Sequence, residues 1–344
     1  MFGISIYTGM DYSLEDNLKY LENAKKYGID TVFTSLHIPE AQERLYEETK
    51  EILKKTKELD MKIIADISKG FMEKIEIKDY NIHSLRLDFG FSIEEITDLT
   101  KNKEFKIQIN ASTIDEAYLK ELIEKGADLE NIEVGHNYYP RKDTGISYTL
   151  LKERNSVFKK YGFSIMAFVS SLNERRGPIY EGLPTLESTR EIRPLLSAQY
   201  LLNAGVDIVI IGDAFASDKE INDMTKIKKD IWTIPLKAEN ITKEEMDVLS
   251  GVHTNRMDPG EFTIRSQEAR LKKTSSIKKR NTGERLKYFL TIDNEGYLRY
   301  ERELQIVMKN LPSDDRINII GDLSESSLLI NQIKPGDKFE FLID

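Results

Sequence analysis

The sequence predicts an α/β protein: a TIM-type (β/α)8 barrel followed by a small, β-rich C-terminal domain. Three observations carry this prediction. Over roughly the first 230 residues, eight short apolar runs alternate with longer amphipathic stretches, the pattern of βα units that build a parallel sheet. Right-handed crossovers close eight such units into a barrel. The first run is followed by YTGMDYS rather than G-x-G-x-x-G, which counts against an open doubly wound sheet with a phosphate-binding turn. Beyond about residue 260 the pattern changes to period two, broken by Gly, Asp and Pro turns.

The strand candidates are FGISIYT (2–8), TVFTSLH (31–37), KIIADIS (62–68), SLRLDFG (84–90), KIQIN (106–110), IEVGHN (132–137), SIMAFVS (164–170) and DIVIIGD (207–213). Helical patterns separate most of them, such as 13–28, where Ser13 with Asp16 suits an N-cap and Gly28 a stop, and 39–60. The 68–83 connection leaves room for only a short helix or a loop. After the barrel (1–235) come a short helix, capped by Thr242 and Glu245, and the linker-like HTNRMDPGE, together spanning 236–260. Residues 261–344 then read as a small, mostly antiparallel barrel or sandwich.

Composition bounds the function. A net charge of -9 argues against a generic nucleic-acid binder but leaves room for a local arginine cluster that binds a small anion. With no cysteine there are no disulfides, Cys-ligated zinc or thiol chemistry. The start lacks the basic end and apolar run of a signal peptide, and no segment is apolar for long enough to span a bilayer, so a cytoplasmic protein without a membrane role is expected.

Barrel enzymes place reactive groups at the C-terminal ends of strands and in the following loops. Those positions hold Tyr7; His37 and Glu40; Asp66; Arg86 and Asp88; Gln108 and Asn110; Glu133, His136, Asn137 and Arg141; and Asp213. Arg86 and Asp88 are two apart, so they share a face and are expected to pair, either at the mouth or as a structural pair within the barrel. The loop SSLNERRGPIYEGLPTLESTREIR (170–193) is long for an ordered connection and carries Arg175, Arg176 and Glu181. Adjacent arginines suit an oxyanion, because guanidinium is a rigid two-pronged donor; the bland alternative is a solvated charge run. In GHNYYPRK (135–142), His136, Asn137, Tyr138, Tyr139 and Arg141 suit a polar, ring-shaped, anionic ligand such as a sugar phosphate. For the histidine the bland alternative is a satisfied core side chain, and for the tyrosines it is packing.

Some chemistries are disfavoured. Lys62 and Lys106 lie at strand starts, the wrong end for a Schiff base. Only four histidines occur, without H-x-H or H-E-x-x-H spacing, which counts against metal hydrolysis; a Mg2+ site made of carboxylates alone stays open, and no cofactor is expected. Paired carboxylates for glycoside hydrolysis are the least demanding fit, and Asp66, Asp88, Glu133, Glu181 and Asp213 form the pool. The sequence does not choose the pair.

GISIYTG (3–9), FTSLHIPE (33–40), LRLDFGF (85–91), NAST (110–113), GHNYYPRKDTGIS (135–147), RRGPIYEGLPTLESTR (175–190) and GDAF (212–215) together resemble the 6-phospho-N-acetylmuramidase family, across nearly the whole chain. The resemblance implies a cytoplasmic bacterial glycosidase of peptidoglycan recycling. It would cleave the β-1,4 bond of N-acetylmuramic acid 6-phosphate–N-acetylglucosamine. The resemblance also implies that the C-terminal domain is cyclophilin-like. The substrate carries a phosphate and a lactyl carboxylate, for which Arg141 and the Arg175–Arg176 pair are two candidate spots. Asp66 and Asp88 are the first choice for catalysis, with Glu181 an alternative proton donor. Tyr7, His37, Glu40, Arg86, Asn110, His136, Asn137, Tyr139 and Asp213 are expected around the sugar. The second domain is expected to cover the mouth or to form a homodimer contact. A sugar-phosphate isomerase or epimerase, and a phosphosugar-binding protein without catalysis, are the competing readings.

Overall fold

Eight parallel strands hydrogen-bond in chain order and close on themselves, as the alternation of runs predicts. They are β1 (Phe2–Ile6), β2 (Thr31–Ser35), β3 (Lys62–Ile67), β4 (Ile82–Leu87), β5 (Lys106–Asn110), β6 (Ile132–Gly135), β7 (Ser164–Val169) and β8 (Ile208–Ile211). Pairing of Gly3 with Ile210 seals the ring. The structure is a computed structural model and describes residues 1–10, 12–36, 43–72 and 80–343, with no account of the Glu43, Arg44 and Phe71 side chains. The expected site residues His37 and Glu40 lie outside the described residues.

Helices follow the strands: α1 (Leu14–Lys26), α2 (Glu43–Glu58), α3 (Lys69–Met72), α4 (Ile93–Thr100), α5 (Glu116–Glu124), α6 (Tyr148–Lys160), α7 (Pro194–Asn203) and α8 (Asp218–Thr225). Local chemistry starts and stops them. Ser13 and Asp16 form a reciprocal capping box on α1, and Ser92 and Glu95 repeat it on α4. Gly28 ends the first unit's helix with φ +87°, a conformation that a side chain would strain.

The chain divides into two compact units, Met1–Thr225 and Lys226–Asp344. The second contains a four-stranded antiparallel sheet in the order β11 (Thr263–Arg265), β13 (Leu304–Val307), β12 (Phe289–Asp293), β14 (Ile317–Asp322). A second sheet has the order β10 (His253–Thr254), β15 (Lys338–Ile343), β9 (Ile231–Leu236). Here the structure departs from the expected boundaries. β9 runs parallel to β15 and so belongs to the second unit rather than to the end of the barrel. The expected helix, α9 (Lys243–Leu249), and the linker-like segment after it are also built into this unit. Leu236, Val248 and Leu249 join its apolar core, and His253 is buried with ring hydrogen bonds to Ser266 and the Leu249 carbonyl. The polar linker sequence hides these few buried anchors. Among the described residues no helix is long and apolar enough to cross a membrane.

Candidate active site at the barrel mouth

Strand register fixes which side chains line the barrel interior. Ile64 belongs to an internal apolar cluster, and Asp66 lies two residues on, hence on the same face. Asp66 is in register with Arg86, Arg86 with Gln108, and Gln108 with Glu133, so all four face inward. Asn110, two residues beyond Gln108, continues the stripe toward the mouth.

This face is a hydrogen-bonded array. Arg86 donates from Nη1 to Asp66 Oδ1 at 2.7 Å and from Nη2 to Asn137 Oδ1. Asn110 donates to the same Asn137 oxygen at 3.1 Å, and its own oxygen accepts from Ser112 N at 2.9 Å. Asp66 and Arg86 are buried, at 7% and 5% exposure. The expected Arg86–Asp88 partnership gives way to Arg86–Asp66, because the carboxylate on the neighbouring strand lies level with the guanidinium. Asp88 stands past the end of β4 and is exposed. Deeper in, Ser84 Oγ, both amide atoms of Gln108, Arg86 Nε and Glu133 Oε2 are buried without a protein hydrogen-bond partner. Each such atom costs about 1–3 kcal/mol if left unsolvated, so this lining is not what packing stability alone selects. Gly135 makes room for it: a Cβ there would overlap the Gln108 carboxamide.

The rest of the interior is mostly apolar, although Ser5 Oγ on β1 and Thr31 Oγ1 on β2 are also buried there without a protein hydrogen-bond partner. Tyr7, Phe33, Met166, Phe168, Leu183, Ile208 and Ile210 cluster, with Tyr138 packed against them. Tyr138 meets Phe33 and Phe168 edge-on, at ring-centroid distances of 6.3 and 5.1 Å. Burial pushes the Tyr7 phenol well above its usual range, and the phenol donates to the Gly212 carbonyl at 2.8 Å. Above these rings lies Arg176. Its guanidinium carbon is 4.5 Å from the Tyr7 ring centroid and 5.2 Å from that of Tyr138, and Nη1 donates to the Tyr138 hydroxyl at 3.0 Å. Among the described residues no carboxylate lies within ion-pair distance of it.

The other loop arginines are committed. Arg175 is bonded through two nitrogens to Glu191, at 3.0 and 2.7 Å. Arg190, which is buried, donates to the carbonyls of Tyr139, Arg141, Glu181 and Gly182 and to both oxygens of Glu187. It thereby rivets the loop after β6 to the loop after β7. Glu187 also accepts from the Asp143 and Gly145 N–H groups, and Arg190 leads these partners in holding its carboxyl down at about 2. The Glu181 carboxylate accepts from Lys142 N at 2.8 Å. Arg141 is exposed, and Tyr139 is half-buried with its N–H on the Pro184 carbonyl.

Two expected ligand contacts face away from the interior. His136 is one residue out of phase with the inward Gly135 and Asn137. It is fully buried, Nε2 lies 2.8 Å from Asn155 Oδ1 on α6, and Nδ1 lies 3.3 Å from Ser112 Oγ. Burial lowers its pKa to about 4. Asp213 is likewise fully buried and accepts from the N–H groups of Ser171, Arg176 and Leu183, while burial raises its carboxyl. Both position loops rather than present groups to a ligand. The sequence pairs Tyr138 with Tyr139 as candidate ring contacts, and the structure packs Tyr138 against the interior cluster; the rivet made by Arg190 was missed. Strand parity, counted from Glu133, was the signal that turns His136 outward. Nothing local marks Arg190. Among the described residues no three acidic or imidazole side chains gather as a metal site would require.

Models of the 6-phospho-N-acetylmuramidase family match this chain, the N-terminal model over residues 2–226 and the C-terminal model over residues 232–342. A search of curated proteins finds no match. Among solved structures, a conserved protein of unknown function from Enterococcus faecalis is 31% identical, with TM-score 0.80, over 100% of this chain and 96% of that one. An uncharacterized Bacillus cereus protein is 29% identical, with TM-score 0.86, over 99% of each chain.

Proposed function

This chain belongs to the 6-phospho-N-acetylmuramidase family, and on that premise we propose that it hydrolyses the β-1,4 bond between N-acetylmuramic acid 6-phosphate and N-acetylglucosamine. The observation that carries the reading is Arg176, a cation pinned over two tyrosine rings without a described counter-ion. A phosphate or carboxylate on a sugar supplies that counter-ion, and the tyrosine and phenylalanine faces beside it suit a sugar ring.

Glycoside hydrolysis needs one carboxyl to protonate the departing oxygen and one carboxylate to attack the anomeric carbon or to activate water. Asp66 is assigned the second role, since Arg86 and the Asn137–Asn110 relay fix its orientation as an anion. Asp88, exposed at the end of the next strand, is assigned the proton donor, with Glu181 on the riveted loop as the alternative. Water is consumed: the bond from the anomeric carbon to the leaving oxygen breaks as the donor protonates that oxygen, the water oxygen bonds to the anomeric carbon, and the water's proton goes to the carboxylate acting as base, Asp66 if it activates the water or the former donor if Asp66 attacks the anomeric carbon. The proposal extends to a cytoplasmic role in recovering cell-wall fragments.

The test is mass-spectrometric turnover of the disaccharide with and without its 6-phosphate. Cleavage of the phosphorylated form alone supports the reading. Tight binding of that form without cleavage replaces it with a phosphosugar-binding protein. Arg176→Gln is expected to raise KM for the phosphorylated disaccharide about 10- to 100-fold, the loss of one charge-assisted pair.

A further inference from the structure

The polar wall does not stop at Arg86. It runs from the strand ends at the mouth to the strand starts at the opposite end of the barrel. Asp66, Arg86, Gln108 and Glu133 are register neighbours on β3 to β6. Glu133 is the second residue of β6, while His83 and Lys106 stand at the starts of β4 and β5. We infer that this wall is a water-bridged proton path that joins Asp66 to solvent at the barrel floor, with His83 as its outlet. The inference rests on the hydrolase reading in one respect: Asp66 is taken as the base that activates the water.

Three features point this way. The first is a run of buried polar atoms. Ser84 Oγ, Arg86 Nε, both amide atoms of Gln108 and Glu133 Oε2 lie on three adjacent strands without a protein hydrogen-bond partner. Adjacent strands are about 4.8 Å apart, so a single water bridges such side chains. The set mixes donors and acceptors, which gives a bound water the two to four polar partners that hold it. Gly135 keeps the Gln108 carboxamide in this row, since a Cβ there would overlap it.

The second is the outlet. The pairing of β3 with β4 skips His83: Ile63 is opposite Ile82, and Ile64 is opposite Ser84. Plain alternation would turn His83 to the face opposite that of Ser84. The extra residue re-aims it, as a bulge does, and sets Nε2 3.0 Å from Oε1 of the inward Glu133. Lys106 Nζ lies 3.8 Å from the same oxygen. The His83 side chain is 23% exposed and that of Glu133 only 4%, so the imidazole meets both the carboxylate and solvent. An imidazole accepts a proton on one ring nitrogen and releases one from the other.

The third is need. Asp66 is buried beneath the mouth, where the sugar would sit. Once Asp66 has taken the water's proton, the product covers the direct way out. Along the wall the proton passes from the Asp66 carboxyl to bound water, then through the Glu133 carboxylate to the His83 ring, and last to a base in bulk solvent. Asp66 is left an anion, and no other bond changes. Arg86 keeps its own protons throughout, so it orients the path without carrying charge along it.

The experiment has two parts. A high-resolution crystal structure of the full chain is expected to show ordered water within hydrogen-bond distance of Ser84 Oγ, Gln108 and Glu133 Oε2; a dry row overturns the path. Turnover of the phosphorylated disaccharide is then measured in weak buffer, with and without added imidazole, for wild type, His83→Ala and Gln108→Leu. His83→Ala is expected to lower kcat about ten-fold at constant KM, less than loss of a group that transfers the proton at the reacting atom, and imidazole should restore it. Gln108→Leu replaces unpartnered amide atoms with an apolar side chain, so its Tm should hold or rise. Its kcat should fall without rescue, because the block lies inside the barrel. Unchanged kcat in either variant, or a loss in His83→Ala that imidazole does not restore, overturns the path. Retention of anomeric configuration in the fresh product, read by NMR, also overturns it, because Asp66 then takes no proton from water. If wild type cleaves nothing, the hydrolase reading falls, and the path stands or falls with the ordered water.

Discussion

The barrel interior has two unlike walls. From β7 through β8 and β1 to β2 it is closed by Phe33, Met166, Phe168, Ile208 and Ile210, all 4% exposed or less. From β3 to β6 the inward face holds Asp66, Ser84, Arg86, Gln108 and Glu133, buried but polar. Identical backbone architecture supports both, so the difference is not dictated by folding. Apolar packing on one wall stabilises the closed ring. Buried hydroxyls without a partner occur on both walls, at Ser5 and Thr31 as at Ser84, but only the second carries a buried ion pair, which contributes little net stability compared with an apolar substitute, together with unpartnered amide, guanidinium and carboxylate atoms that cost stability. A barrel that retains such a wall does so for what the wall holds in place, and on it Arg86 ties Asp66 to Asn137.

Substitutions on the two walls should therefore separate activity from stability. The largest expected effect is on the polar wall: Asp66→Asn keeps the shape and an acceptor for Arg86 but should lower turnover about a hundred- to ten-thousand-fold. Steady-state rates corrected for the folded fraction check it, and near-normal turnover would remove Asp66 from the mechanism. On the apolar wall, Phe168→Ala should cost about 3–5 kcal/mol in denaturant unfolding. If its folded fraction also loses turnover as severely as Asp66→Asn does, the two walls are not functionally distinct.

Smaller effects test the layers outside the interior. His136 is buried with its pKa lowered to about 4 from an ordinary 6.5. Between those values the unfolded chain binds more protons than the folded one, so stability falls as pH drops through that window. His136→Gln should flatten that part of the Tm–pH curve; an unchanged slope would assign the dependence to another group. For Glu187 the folded carboxyl is depressed to about 2 from 4.5. Its contribution is present above the unfolded value and is lost as pH falls from about 4.5 toward 2. The group is partly solvated, so the effect is modest: Glu187→Gln should lower Tm slightly near pH 7, where the carboxylate's contribution is full, and flatten the fall of Tm between about 4.5 and 2.

The barrel was legible in the sequence because each strand is a short apolar run with helix start and stop signals between, and each of these is local. The polar wall was half legible. Asp66, Arg86 and Asn110 stand at strand ends where barrel chemistry belongs, yet so do His136 and Asp213, which turn outward into the helix layer and the loop base. Treating all strand-end residues alike ignored the alternation that separates the two faces. The sequence singled out the adjacent Arg175 and Arg176 without separating them, while in the structure Arg175 and Arg190 pair with Glu191 and Glu187, and Arg176 has no carboxylate within ion-pair distance among the described residues. The limits of the second unit were misplaced because β9 is recognisable only through its pairing with β15, more than a hundred residues later.

The sequence by itself determined the order and type of the barrel's elements, the exclusion of thiol chemistry, and a family resemblance that the matched family models now establish. These follow from composition, periodicity and contiguous motifs. Tertiary structure alone decided which carboxylate meets Arg86, whether Arg175 or Arg176 meets a carboxylate among the described residues, and which tyrosine faces the interior. Each of those depends on the register between strands or on a contact between loops far apart in the chain, and neither distance is encoded in any local stretch of residues.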